Sequence, residues 1–232
     1  MFSVSGRGNR AGSQLSTVPR YGDGRRVRVG LLGGSFNPAH AGHAHIARTA
    51  LRRLRLDQVW LLVSPGNPLK RVAGMAPLVE RLAGAAAIGD GRRILATDIE
   101  RQFASRYTVD TIRTLRRRFP NVRFVWLMGA DNLAQLPRWR GWMRLVRMVP
   151  FAVLPRPTYS GAALAGRAAQ RLRFARRPLR EAGLLAELDA PAWVFLDSKT
   201  NSLSATALRG SVQEKHYRSK ARPPFRTRHQ GT

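Results

Sequence analysis

The sequence predicts an α/β protein built on a doubly wound parallel sheet. Three observations predict it. Short apolar runs at 27–32, 59–63 and 122–128 alternate with segments of helical period. The first run ends in Gly33 and Gly34, which close a buried strand. The stretch joining the first two runs has the size of a parallel crossover.

The elements follow in order. Residues 27–32 read as a strand. Residues 42–55 carry Ile46, Ala47, Ala50, Leu51 and Leu54 at helical spacing, and the helix stops before Asp57. Residues 59–63 are the second strand. Three prolines and two glycines make 64–77 a loop. Residues 78–88 read as a helix and 93–97 as extended. Val109, Ile112 and Leu115 place a helix over 108–119, which Pro120 ends. Residues 122–128 form the strongest strand, closed by Gly129. A short helix follows, then Trp139 and Trp142. Residues 150–154 are another strand. The Ala- and Arg-rich stretch 156–189 is partly helical. A short strand at 193–196 and a helix start at 204–210 complete the pattern. No internal repeat is present.

Composition narrows the function classes. The 232 residues hold 41 Lys and Arg against 13 Asp and Glu, a formal charge of +28. Such a charge favours polyanions: nucleic acid, an anionic membrane surface or phosphorylated small molecules. Hydrophobic residues make up 44%, enough for a core and too many for a basic disordered chain. With no cysteine, disulfides, thiolate metal sites and Cys nucleophiles are excluded, which agrees with a cytoplasmic setting. No apolar run approaches the roughly 18 to 20 residues of a membrane span. Residues 1–26 carry +4 and 211–232 carry +5, so +19 lies in 27–210. The expected organisation is one domain over 27–210 with disordered basic tails at 1–26 and 211–232.

The chemistry concentrates in Gly33-Gly34-Ser35-Phe36-Asn37-Pro38-Ala39-His40-Ala41-Gly42-His43. In a parallel sheet the crevice at the strand carboxyl ends is where ligands bind. Paired glycines let a phosphate approach the backbone, and a helix start offers it free N–H groups. His40 and His43, three apart, can face one point and donate to phosphoryl oxygens. With His45 they could alternatively frame a metal site, although no acid lies nearby.

This segment resembles the signature of nucleotidyltransferases of the H-x-G-H type. Their second signature, I-S-S-T-x-I-R, is matched by Leu203-Ser204-Ala205-Thr206-Ala207-Leu208-Arg209. Further stretches resemble the bacterial nicotinate-nucleotide adenylyltransferases in particular. They are the loop Ser64 to Lys70, the Tyr107-Thr108-Val109-Asp110-Thr111-Ile112 helix start, the Phe124 to Leu133 segment followed by Trp139, and Val153 to Pro157.

The resemblance implies a Rossmann-like nucleotidyltransferase fold and adenylyl transfer from ATP to nicotinate mononucleotide, giving deamido-NAD and pyrophosphate. It implies that Gly33, Gly34, Ser35 and Phe36 line the ATP phosphates. His40, His43 and Arg209 would stabilise the transferring phosphates. Ser204 and Thr206 would hold the triphosphate, and Asp131 the adenosine side. Thr108 and Trp139 would hold the nicotinate ring. Asn37, Lys70, Asp110 and Arg156 would complete the mononucleotide side. Mg2+ would bind through the ATP phosphates and water, with few or no direct protein ligands. Two positions depart from the pattern: Asn37 stands where many relatives have Asp, and Ala205 replaces a Ser.

Rival readings are transfer to nicotinamide mononucleotide or to pantetheine phosphate, and a basic nucleic-acid-binding protein. Trp139 and the helix start at Tyr107 argue against pantetheine. The Trp residues sit near strand ends and not among the Arg clusters, against nucleic-acid binding. The transfer reading expects His43→Ala to abolish turnover while leaving the circular-dichroism spectrum unchanged. Near-normal turnover would refute that role.

Overall fold

The computed structural model describes residues 18–19, 24–65, 74–103, 107–156 and 159–196. Lys70, Ser204, Thr206 and Arg209 lie outside the described residues, as do 1–17 and 211–232.

Seven strands form one sheet: β1 Arg28–Gly34, β2 Gln58–Val63, β3 Ile94–Thr97, β4 Arg123–Gly129, β5 Phe151–Leu154, β6 Arg176–Arg177 and β7 Trp193–Phe195. The order is β3-β2-β1-β4-β5-β7-β6, and every pairing is parallel. From β1 the chain winds outward to β3, then crosses back to place β4 on the other side of β1. That reversal opens a crevice beyond the carboxyl ends of β1 and β4.

The helices are α1 Ala41–Arg53, α2 Leu78–Ala87, α3 Thr108–Arg118, α4 Ala130–Gln135, α5 Trp142–Met148, α6 Ser160–Ala165 and α7 Arg167–Arg171. Side chains of a strand alternate between faces, so each strand feeds two cores. Leu31, Trp60, Leu62, Trp126, Met128 and Val153 pack with α3, α4 and α5. Leu32, Leu61, Val63, Leu127 and Leu154 pack with α1 and α2 on the opposite face. Trp60 is 1% exposed, and both Phe119 and Phe124 meet its ring edge-on at 5.2 and 5.8 Å.

Two details differ from the expectation. Arg176 and Arg177 form an edge strand although both are exposed, so no apolar run marks it. Within the segment expected to be an extension, Val18 is 3% exposed and belongs to the core cluster of the α3 face. Packing therefore reaches upstream of residue 27. Among the described residues, no helix is long and apolar enough to cross a membrane.

Trp60→Ala removes a large buried ring and should cost about 3–5 kcal/mol in denaturant unfolding. A cost below about 1 kcal/mol would mean that this core does not support the sheet.

Candidate active site

β1 ends at Gly34, and the turn from Ser35 to His40 leads into α1. The turn is tightly determined. A Cβ on Gly33 would stand 2.8 Å from Trp126 Cη2, and one on Gly34 would stand 3.2 Å from the Phe36 ring. Gly33 is therefore required by the indole of β4. Phe36 has φ 49°, a left-handed conformation that costs a bulky residue energy. Its buried ring lies 4.7 Å from the His43 ring. Asn37 is 7% exposed, and its Oδ1 accepts a hydrogen bond from the Ala76 amide at 3.3 Å. That side chain links the turn to the entry of α2.

His40 is the N-cap of α1. Its Nδ1 accepts from the Gly42 amide at 3.1 Å, and His43 Nδ1 accepts from the His40 amide at 3.3 Å. The two histidines form a reciprocal capping box, a role that Ser or Thr with Glu usually fills. The pairing has an electronic consequence. A backbone N–H can only donate, so each Nδ1 must be unprotonated. Each neutral ring then carries its proton on Nε2.

The rings are 3.9 Å apart between centroids. Two like charges at about 4 Å repel by roughly 4 kcal/mol at an effective dielectric of 20. Burial, the His40 ring and Arg156 accordingly push His43 down to about 3. Burial and Arg156 lower His40 as well. The sequence placed the two rings at one point. The structure makes them neutral donors rather than cations.

The ends of β4 and β5 supply the other side of the crevice. Asp131 lies in the first turn of α4 and Arg156 just beyond β5. Arg156 Nε is 3.5 Å from Asp131 Oδ1, and neither buried atom has a hydrogen-bond partner among the described residues. A Cβ on Gly129 would strike Asp131 Oδ1 and approach Arg156 Nε at 2.9 Å, so a larger residue there would displace that pair.

Thr108 begins α3, with Tyr107 as its N-cap. Asp110 pairs with Arg113 at 2.8 Å. Both line a cavity of about 550 Å³ together with Arg140, Trp142 and Arg144. Trp139 is half-buried, follows the turn after α4 and packs on the α3-side core. Glu100, in the turn after β3, is held above the usual carboxylate range by burial and accepts from Thr111 Oγ1 at 2.8 Å.

One residue of the crevice escaped the sequence. Arg81 of α2 is 4% exposed. Its Nε donates to the Ala76 carbonyl at 2.9 Å. Its Nη1 donates to the carbonyls of Ser35 at 2.7 Å and Ser64 at 2.8 Å. The available signal was its place on the apolar stripe Leu78, Leu82, Ala85. It was masked by the abundance of other arginines.

A doubly wound parallel sheet with the His40–His43 capping box where β1 meets α1, at the switch point, is the arrangement expected of a nucleotidyltransferase. The model of the cytidylyltransferase-like family matches residues 31–211, and the chain belongs to that family. It is 60% identical over 198 residues to the probable nicotinate-nucleotide adenylyltransferase of Gluconacetobacter diazotrophicus, covering 85% of this chain and 92% of that one. It is 63% identical over 187 residues to the probable nicotinate-nucleotide adenylyltransferase of Gluconobacter oxydans, covering 81% and 96%. Among solved structures, Plasmodium falciparum nicotinic acid mononucleotide adenylyltransferase complexed with NaAD superposes with a TM-score of 0.58 at 16% identity. That match covers 79% of this chain and 83% of the other. The same enzyme complexed with APC gives the same score. At such identity these two matches concern the fold.

The neutral capping box sets a pH dependence. His43 takes a proton near 6.5 when unfolded but only near 3 when folded. Between those values the unfolded chain binds the extra proton. Stability is therefore full above about pH 6.5 and declines as pH falls toward 3. Urea unfolding across pH 7 to 4 should show this decline, and His43→Asn should flatten it. An equal slope in both proteins would contradict a buried neutral His43.

Proposed function

We propose that this chain transfers the adenylyl group of ATP to nicotinate mononucleotide, forming deamido-NAD and pyrophosphate. The capping box of His40 and His43 at the switch point carries the reading, with the relatives described above in support. An oxygen of the acceptor's 5′-phosphate attacks the α-phosphorus of ATP. A new P–O bond forms, the bond to the bridging oxygen toward the β-phosphorus breaks, and pyrophosphate leaves with that electron pair. A phosphate is already a competent nucleophile, so no protein nucleophile is needed. Catalysis rests on alignment and on stabilising charge as it moves onto pyrophosphate.

The residues take these roles. Gly33, Gly34, Ser35 and Phe36 present backbone to the triphosphate. His40 and His43 donate from Nε2 to phosphoryl oxygens, and Arg209 adds a cation. Ser204 and Thr206 bind the triphosphate, and Asp131 the adenosine. Trp139 offers a ring face to the cationic pyridine, an electrostatically apt partner. Thr108, Asp110, Asn37, Lys70 and Arg156 serve the mononucleotide side. Asn37 also holds the turn, its Oδ1 being engaged by the Ala76 amide.

The family works with a divalent metal, and we propose magnesium. Among the described residues, no three His, Asp or Glu side chains converge to cage a cation. The His40 and His43 Nδ1 atoms are occupied by amides. That donor set suits a cation carried on phosphate oxygens and water. When bound, magnesium neutralises part of the triphosphate charge. A domain over 27–210 with Val18 packed against it, basic tails and a cytoplasmic setting belong to the same proposal.

Initial rates with nicotinate and nicotinamide mononucleotides, each with ATP, test the function directly. We expect the acid to be preferred by at least tenfold in kcat/KM. Equal rates, or turnover of pantetheine phosphate instead, would overturn the assignment. Tight nucleic-acid binding at physiological salt without ATP turnover would favour a different class of protein altogether.

A further inference from the structure

Among the described residues, Arg81 is a buried cation without a carboxylate. Among the described residues it forms no ion pair, and its guanidinium is satisfied only by main-chain carbonyls. Burying an arginine this way is costly unless the charge is used. Burial in fact lowers its pKa, with no opposing acid.

The three carbonyls come from two connections, one after β1 and the other after β2. Ser35 belongs to the turn between β1 and α1. Ser64 follows β2. Ala76 precedes α2. One planar fork therefore holds together the loops that leave two adjacent strands at the ligand edge. The contact to Ser35 also orients the turn. In a trans peptide the carbonyl and the next N–H point in opposite directions. Drawing the Ser35 carbonyl toward Arg81 turns the Phe36 amide away from it. Among the described residues, that amide makes no hydrogen bond. With Phe36 in the left-handed region, the turn has the character of a backbone anion nest.

We propose that Arg81 is the positioning residue of the phosphate turn, and that the polyphosphate of ATP supplies the counter-charge its guanidinium lacks. The inference rests on the adenylyltransferase reading. It assigns Arg81 no contact with the reacting atoms. It acts through the Ser35–Phe36 peptide and through its field in the crevice. Its effect should therefore fall more on the polyphosphate than on the pyridine side.

The test uses the full chain with Arg81→Met and Arg81→Lys. Methionine keeps the aliphatic stem and removes charge and fork. Lysine keeps the charge but cannot span three carbonyls. In R81M the KM for ATP should rise at least tenfold, while the KM for nicotinate mononucleotide, which also depends on the loop carrying Lys70, should rise at least threefold less. The Kd of inorganic pyrophosphate, measured by calorimetry without turnover, should weaken by a similar factor. R81K should fall between R81M and wild type. If R81M does not fold, R81K carries the test, with an expected rise of at least threefold in both readings. Unchanged ATP KM and pyrophosphate Kd, with only a lowered Tm, would reduce Arg81 to a structural role. So would equal rises in both substrate KM values. If the wild type binds pyrophosphate but forms no deamido-NAD, the function reading fails while the Arg81 reading can still be measured.

Discussion

Two amides at the start of α1, those of His40 and Gly42, would be orphaned without the capping box, and imidazole nitrogens satisfy both. The rest of the crevice depends on that arrangement. It starts α1 at a defined residue and seats both rings with Nδ1 on its first amides. It also brings the rings within 3.9 Å of each other, a separation that disfavours two positive charges. Helix start, ring orientation and protonation state are thus one constraint. An ordinary serine cap would stabilise the helix equally well but would leave no second donor pointing outward.

The turn that delivers His40 is held from several sides. The Trp126 indole occupies the space where a Cβ of Gly33 would lie. The Phe36 ring fills the layer beneath His43. Asn37 is tied to Ala76, and Arg81 gathers the carbonyls of Ser35, Ser64 and Ala76. Such over-determination allows a left-handed phenylalanine to persist. It also leaves the turn little freedom to rearrange.

Much of this was legible in the sequence. The strands of the sheet's centre are buried on both faces, so β1, β2 and β4 read as continuous apolar runs and were located within a residue or two. Convergence of His40 and His43 follows from their spacing of three. Their tautomers were not legible, because these depend on which amides the rings meet. The packing reason for Gly33 was hidden because Trp126 lies far along the chain and meets it only once β4 docks beside β1. Arg81 was lost because one buried arginine among many exposed ones differs only in its tertiary partners. The two exposed arginines of β6 carry no pattern of burial to read.

The seating of the histidines has one more consequence. A neutral imidazole accepts at one nitrogen and donates at the other across a rigid conjugated ring. Here the accepting nitrogen touches the amino end of a 13-residue helix, where the peptide dipoles accumulate partial positive charge. Each amide draws electron density toward Nδ1 and leaves the far N–H more acidic. Hydrogen bonds in series polarise one another in the same sense. The two rings thus act as extension leads for α1. They carry the positive end of its dipole a ring's width beyond the helix start, without adding a mobile proton or a net charge.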